Sequence, residues 1–452
     1  MQISNEKIKE IATSTEPILF LRPEGFGKSH FFCALERYFA SLNTPVFSIS
    51  FGSRRYKTKS DLDSVVLASL LAWESVWHVQ KSDDDVSVGE RFCRIIKKAE
   101  SESGKKVAIL VDDYDFPIVE DEADSETRSY YESTLSSLFG ALKIKRQSIE
   151  FSLLLGISRQ ENILRFAEVK DKSYDIAFSS VAGFFAEDVD ALLQQKSACG
   201  LSEKEMRDWY GGYYFGSDKE SFCAKSVFRA LETLSASAYC PSAKMAEKAA
   251  EKARLSLFDI SLLLQKNGFE VTDEAFFSLK ADETSPIPTM LSAGFLEKKA
   301  RDKAFGTFSL YFPNRASRAV FFAETARRFT AIPSLQTRIW AIDAIRALEK
   351  DDLRTFFIAI NSALHGVIAS NLRDALTTLF GLLSVCTQCF FEDGYFTVET
   401  QSFLHVFAFD LKSMQNAFER LYTKTFAAGK KIVKKTGVLI GAESGVSGYR
   451  TM

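Results

Sequence analysis

The stretch Ile18-Leu19-Phe20-Leu21-Arg22-Pro23-Glu24-Gly25-Phe26-Gly27-Lys28-Ser29 runs four apolar residues into a turn with two glycines, and an amphipathic segment follows at once. A strand, a tight turn ending in Gly-Lys-Ser and then a helix is the local layout that cradles a triphosphate. Backbone N–H groups from Gly25, Phe26, Gly27 and His30 would face the phosphates, Lys28 would neutralise the β/γ oxygens, and the Ser29 hydroxyl would ligate Mg²⁺. The full pattern asks for Gly six residues before the lysine, and Arg22 stands there. The same residues also read as an ordinary structural turn, so a second motif has to decide.

That second motif lies in Lys105-Lys106-Val107-Ala108-Ile109-Leu110-Val111-Asp112-Asp113-Tyr114-Asp115. Five consecutive apolar residues bounded by charges read as a strand buried on both faces of a parallel sheet. Asp112 at its C-terminal end is placed to hold Mg²⁺ through water, as a Walker-B carboxylate does. Asp113 is placed to orient an attacking water. The bland alternative is a buried strand closed by a solvated acidic turn. Two phosphate-type motifs in the right order, each at a strand end, favour ATP with Mg²⁺ as ligand. Turnover is less well supported than binding, since Asp113 is shorter than Glu and Glu24 adds negative charge beside the turn.

Strand and helix alternate through the first half. Strands are expected at Ile18–Leu21, Val46–Phe51, Val107–Val111, Phe151–Ile157 and Ile176–Phe178, with helices at Ser29–Ser41, Leu62–His78, Val88–Ser101 and Glu126–Leu142. This rhythm predicts a doubly wound α/β sheet, which takes ligands beyond the carboxyl ends of its strands. Both motifs fall at that edge. The fourth strand ends in Gly156-Ile157-Ser158-Arg159, where Ser158 and Arg159 are candidates to sense a γ-phosphate; Arg159 reads equally well as a solvated surface residue.

The chain has 452 residues, enough for two or three domains, and its 57 basic and 59 acidic side chains leave a net charge of −2. No global basic field therefore calls for nucleic acid. Forty Phe in periodic segments predict core filling. No apolar run approaches a membrane span, and the N-terminal residues lack the pattern of a secretory leader, which predicts a cytoplasmic protein. Seven Cys without regular spacing suit a reducing compartment. Cys386 and Cys389 form a lone Cys-x-x-Cys that reads as packing, because the four His are not spaced to complete a zinc site.

Beyond Ser226–Ser235, read as helical, the Ala/Lys/Glu-rich run Ser242–Arg254 reads as a surface helix or a linker. A helix–helix–hairpin order follows: Leu255–Asn267, Pro286–Ala293, then Gly294–Glu297 paired with Thr307–Phe312. This order is that of a winged helix, though Pro286–Ala293 carries no Lys or Arg for reading a duplex. Helices after Ala323 precede an antiparallel meander at Gln388–Phe391, Tyr395–Thr400 and Leu404–Phe409. A helix at Ser413–Ala428 and a strand at Lys431–Ile440 close the chain.

Taken together, these stretches resemble the AAA-ATPase-like proteins of anaerobic bacteria, whose phosphate turn usually reads Arg-Pro-Arg-Arg-Phe-Gly-Lys-Ser. The run Val111-Asp112-Asp113-Tyr114-Asp115-Phe116-Pro117-Ile118 is similar to that family's second motif. Ala182–Val189, Trp209–Gly216, Ser292–Leu296 and Phe312–Asn314 resemble further landmarks. The resemblance implies a tail of the PD-(D/E)XK nuclease class. There Tyr395 replaces the metal-binding Asp, Ala408 the Glu and Asp410 the Lys, which implies a dead nuclease fold. Asp393, Glu399 and Lys412 survive nearby, but only a slipped alignment would assemble them. In the ATPase half, Leu155 stands where a sensor Thr is common.

The resulting expectation is an α/β chain with an AAA-type P-loop NTPase domain over residues 1–240, a winged-helix-like helical domain over 241–325 and a small, degenerate nuclease-like α/β domain over 326–452. Its function would be ATP binding with weak ATPase activity or a nucleotide-dependent switch. The alternative is a non-enzymatic interaction protein on decayed scaffolds. Expected partners are ATP and either a second copy or another protein, with nucleic acid unsupported by the net charge and no membrane.

Overall fold

The computed structural model describes residues 3–80, 87–119, 123–196, 200–240, 242–256, 258–275, 284–299, 302, 304–410, 421, 431–440 and 446–451. The chain forms two compact units. One comprises Met1–Leu192 with Tyr214–Lys225, the other Leu193–Tyr213 with Ser226–Met452.

The first unit is built on five parallel strands: β1 (Ile18–Leu21), β2 (Val46–Ser50), β3 (Val107–Asp112), β4 (Ile149–Gly156) and β5 (Lys170–Asp171), in the order β2-β3-β4-β1-β5. Alternate side chains of each strand enter opposite layers, as the two-residue period requires. Phe47, Ile109, Val111, Leu19 and Leu154 join one core with residues of the helices Lys59–Val76, Val88–Ser103 and Ser125–Ile144. On the other face Phe20 meets Phe31, and Phe151 meets Phe39, both partners lying on the helix Lys28–Ser41. Burial on both faces explains why β3 reads as an unbroken apolar run.

One strand expectation is corrected. Ile176–Phe178 is a 3₁₀ turn, because the Asp175 carboxylate caps it by accepting from the N–H of Ala177. The fifth strand is the exposed pair Lys170–Asp171, too short and too polar to show in the sequence. A two-stranded antiparallel piece, β6 (Phe184–Phe185) with β7 (Ser221–Phe222), joins Tyr214–Lys225 to the same unit.

In the second unit the Ala-rich run forms the helix Ala243–Leu255. Ala246, Ala249, Ala250 and Ala253 make one buried stripe at helical spacing, so this helix is core-facing. The expected helix Leu255–Asn267 is replaced by a 3₁₀ segment, Ile260–Leu264, started by Asp259, which accepts from the N–H and hydroxyl of Ser261. The helix Pro286–Ser292 forms as expected. Beside it β8 (Phe269–Thr272), β9 (Glu297–Lys298) and β10 (Thr307–Tyr311) make an antiparallel sheet of order β8-β10-β9.

A second sheet holds β11 (Gln388–Glu392), β12 (Tyr395–Glu399), β13 (Phe403–Asp410), β14 (Ile432–Ile440) and β15 (Val446–Thr451) in sequence order. The β13–β14 pair is parallel and the others antiparallel. Asp393 and Gly394, both at positive φ (52° and 86°), close the β11–β12 hairpin in the conformation that suits a two-residue loop. One apolar core runs through both segments of this unit, from Ala246 to Val438, so the stretches 241–325 and 326–452 share buried surface. Much of it is phenylalanine: Phe380 stacks on Phe396 at 4.3 Å, and Phe356 on Phe407 at 5.3 Å. Phe166, Phe228 and Phe305 are exposed. Cys389 is buried in this core and Cys386 packs against it, both as free thiols that burial pushes up.

Candidate functional site

The strand order sets β4 between β1 and β3, so the phosphate-type turn, the Ser158 turn and Asp112 all emerge from the carboxyl edge of one sheet. The turn itself is held by glycine conformations: Gly25 and Gly27 have φ of 84° and 87°, and Gly27 begins the helix Lys28–Ser41. Its carbonyl accepts from the N–H groups of His30 and Phe31. Phe26 is buried and anchors the turn from below. Ser29 and His30 are exposed at the first turn of the helix.

Lys28 is only 6 % exposed, and its ammonium donates to the carbonyls of Arg22 at 2.9 Å and Pro23 at 3.3 Å. Among the described residues no carboxylate lies within ion-pair distance of it. A buried cation satisfied only by carbonyl dipoles keeps most of its field for an incoming anion. Asp112, 4 % exposed, is its counterpart on β3: the Oδ1 atom is buried and has no hydrogen-bond partner among the described residues.

Asp113 follows at φ 52°, a left-handed conformation that Asp tolerates better than most residues. Its Oδ2 lies 2.3 Å from where a Cβ on Gly52 would stand, so only glycine at 52 leaves the carboxylate this position. Burial raises its pKa to about 6; the Lys28 ammonium opposes the rise, while Asp112, Asp115 and Glu24 add to it. Glu24 is ion-paired to Lys225 at 2.7 Å.

Arg159, at the end of β4, is ion-paired with Glu161. Its Nε donates to the Glu161 carboxylate at 2.6 Å; burial disfavours the guanidinium charge, but that carboxylate more than offsets it and raises the pKa. Ser158 is tied instead to Asp115, donating from both N–H and hydroxyl at 2.7 Å. Leu155 is a fully buried β4 residue.

Three residues that local reading passes over hold the site together. Arg22, at the position of the missing glycine, is 1 % exposed, donates to the carbonyls of Leu21 and Ser173, and lies over the rings of Phe20 (4.4 Å) and Phe215 (4.0 Å). It is a structural clamp and leaves the turn itself to Gly25 and Gly27. Asp115 and Tyr114 bind the end of β4: the Tyr114 hydroxyl donates to the Ser158 carbonyl at 2.7 Å, and Gly156 leaves no room for a Cβ between them. A hydrophobic block ending in Asp-Asp-Tyr-Asp advertises acidity, but nothing local says which carboxylate faces solvent.

In the second unit Tyr395 and Ala408 belong to a small apolar cluster with Leu404, Val406 and Leu421. Asp393 sits in the hairpin turn and Glu399 at the far end of β12, about 20 Å of strand apart, where Glu399 pairs with Lys431 at 2.7 Å. Lys412, the helix expected at Ser413–Ala428 apart from Leu421, and the side chain of Asp410 lie outside the described residues. Among the described residues no three His, Cys, Asp or Glu side chains are grouped to hold a metal, and no helix is long and apolar enough to cross a membrane.

Residues 40–163 match the family model described as AAA-ATPase-like, predicted AAA-ATPase. The match includes β3 with Asp112 and Asp113 and begins after Lys28. The chain is similar to an "Uncharacterized protein in vnfD 5'region" of Azotobacter chroococcum mcd 1, 28% identical over 212 residues, or 42% of this chain. It thus spans about 40% of that relative's length. Among solved structures, the Aeropyrum pernix ORC2 protein is similar in two forms. Its ADPNP–ADP complexes have a TM-score of 0.30 and 11% identity over 72% of this chain and 91% of that one. Its ADP form has 0.30 and 10% over 71% and 91%.

Proposed function

We propose that the first unit binds ATP with Mg²⁺ at the carboxyl edge of its parallel sheet. The observation that carries this reading is that one sheet edge bears both a buried, carbonyl-bound ammonium, Lys28, and a buried carboxylate, Asp112, whose Oδ1 has no partner among the described residues. An orphaned oxygen of this kind is costly unless water or a cation meets it. The match of residues 40–163 to an AAA-ATPase-like family supports the same reading.

The donor set fits a hydrated magnesium: one exposed hydroxyl from Ser29, free of hydrogen bonds among the described residues, and Asp112 acting through water. Such a site needs no cluster of three protein carboxylates, since substrate phosphates complete the shell. When bound, the metal would draw charge from the β- and γ-phosphate oxygens. The chain's own part is to present N–H groups of the Gly25–Ser29 turn, to place the Lys28 charge and to orient water at Asp113, while the His30 N–H stays on the Gly27 carbonyl.

The first unit is then an ATPase-like domain, the expected boundary at 240 giving way to that of the compact unit, and within the second unit 241–325 are a winged-helix-like module and 326–452 a degenerate nuclease-like part that has lost its metal ligands at Tyr395 and Ala408. The chain acts as a cytoplasmic nucleotide-dependent switch with slow turnover. A specific observation favours a non-enzymatic second reading: Arg159, the cation expected at the end of β4, is engaged with Glu161. A neighbouring copy would have to supply one for fast hydrolysis.

Calorimetry of the full chain with ATP and Mg²⁺ tests the proposal. Binding in the micromolar to millimolar range that Lys28→Ala abolishes is the expected result. Absence of Mg²⁺-dependent affinity in the wild-type chain defeats it. Phosphate release that survives Lys28→Ala would come from a contaminant.

A further inference from the structure

The segment Tyr214–Lys225 leaves the second unit's stretch of chain, packs in the first unit and returns. It grips the phosphate-type turn at several consecutive positions. The Phe215 ring meets Phe26 edge-on at 5.2 Å, and the Arg22 guanidinium lies over the same ring. The Cys223 thiol faces the Glu24 carbonyl at 3.9 Å, the Lys225 N–H donates to the Gly25 carbonyl at 3.0 Å, and the Lys225 ammonium pairs with Glu24 at 2.7 Å. From the other side, the Gly183 N–H donates to the Phe26 carbonyl at 2.6 Å, where a Cβ on residue 183 would collide with Ser221.

We infer that Lys225 is a positioning residue of the triphosphate site: it holds the Glu24 carboxylate aside and cancels its charge, and so sets the affinity for the anion. This rests on the nucleotide reading above. The Lys225 backbone is fixed on the turn by the Gly25 carbonyl, so the root of its side chain is held beside Glu24. Without its ammonium the turn confronts a triphosphate with an uncompensated Glu24 beside Asp112, Asp113 and Asp115, against Lys28 and the carbonyl-bound Arg22. Repulsion between like charges at the rim of such a site weakens anion binding even where each exposed pair contributes little to stability.

The test is titration of a fluorescent ATP analogue with Mg²⁺ into the full chain and four variants: Lys225→Ala, Lys225→Arg, Glu24→Gln and the double variant Lys225→Ala/Glu24→Gln. Lys225→Ala should weaken binding about fivefold to tenfold, Lys225→Arg should stay near wild type, and Glu24→Gln should bind at least as tightly. The decisive result is rescue: the double variant should recover wild-type affinity, which a merely structural loss would not. Unchanged affinity in Lys225→Ala, or a double variant as weak as the single one, overturns the inference while leaving the site standing. A wild-type chain without affinity overturns both.

Discussion

Asp115 accepts two hydrogen bonds from Ser158, one from its N–H and one from its hydroxyl, each at 2.7 Å, and thereby ties the end of β3 to the end of β4. The same carboxylate also accepts from the Ile157 N–H. Burial raises the Asp115 pKa, and these donors pull it back. Asp115→Ala leaves two half-buried N–H groups without an acceptor and empties a buried site, and should cost about 2–4 kcal/mol, read by urea denaturation. Ser158→Ala removes one hydroxyl bond and should cost about 1 kcal/mol. Equal losses in the two variants would show that Asp115 has no burden beyond that single bond.

Asp113 makes stability depend on pH in the opposite sense to a salt-bridged carboxylate. Its pKa rises from the usual 3.8 to about 6 in the folded chain, so the folded state holds its proton more tightly. That contribution is fully present below about 3.8 and is lost as pH climbs through about 6. Asp113→Asn, which keeps the left-handed backbone acceptable, should therefore stabilise the chain at pH 7.5 by about 1–3 kcal/mol. The gain should shrink toward zero by about pH 4. Denaturation midpoints of the two proteins at pH 4.5, 6 and 7.5 check the window; a gap that does not narrow with acid contradicts the raised pKa.

The contrast between Lys28 and Arg22 shows what local sequence carries. Lys28 and Asp112 are legible as candidates because Asp112 ends an apolar strand and Lys28 ends the glycine turn that leaves another, and the parallel sheet brings both strand ends to one edge. Arg22 looks like a defect in the motif, since its partners Ser173 and Phe215 lie some 150 and 190 residues further on. The same holds for Lys225 at the turn. β5 and the 3₁₀ turn at Ile176–Phe178 exchange places with expectation for a related reason. Edge pairing needs only two backbone hydrogen bonds and no apolar pattern, whereas Asp175 redirects an apolar triplet by a single side-chain cap. In the second unit, alanines at helical spacing carry the core signal that the charged residues between them obscure.

Gly212 should be the least replaceable glycine of the second unit. Its φ is +83°, and a Cβ would lie 2.0 Å from the Pro313 carbonyl oxygen, a backbone atom that cannot swing away. Gly212→Ala should cost about 2–4 kcal/mol by combining backbone strain with collision. Gly104 separates the two effects: at φ +65° it has open space around it, so Gly104→Ala should cost only about 1 kcal/mol of strain. Tyr213→Phe, next to Gly212, removes a buried hydroxyl that donates to the Gly294 carbonyl at 2.8 Å, and should cost about 1–2 kcal/mol. Denaturation curves for the three variants order them; a Gly104 variant as damaged as the Gly212 variant would remove collision from the explanation.

His405 gives the second unit an acid-sensitive point. It is fully buried on β13, its Nε2 lies 2.9 Å from the Leu348 carbonyl, and Nδ1 has no partner among the described residues. Burial lowers its pKa below the usual 6.5; the Leu348 bond and the fields of Asp351 and Glu349 oppose this, and Lys434 reinforces it. The folded chain thus keeps the ring neutral while the unfolded chain takes up a proton. Stability is retained above about 6.5 and falls as the pH drops below it, by up to about 1.4 kcal/mol per unit. His405→Phe suits the stacking position beside Phe407, at 6.0 Å and 11°. It leaves the Leu348 carbonyl without its donor, so it should be somewhat less stable at pH 7.5 yet flatter in its response between pH 7 and 5. Parallel losses in the wild-type and His405→Phe chains over that range would place the acid sensitivity elsewhere.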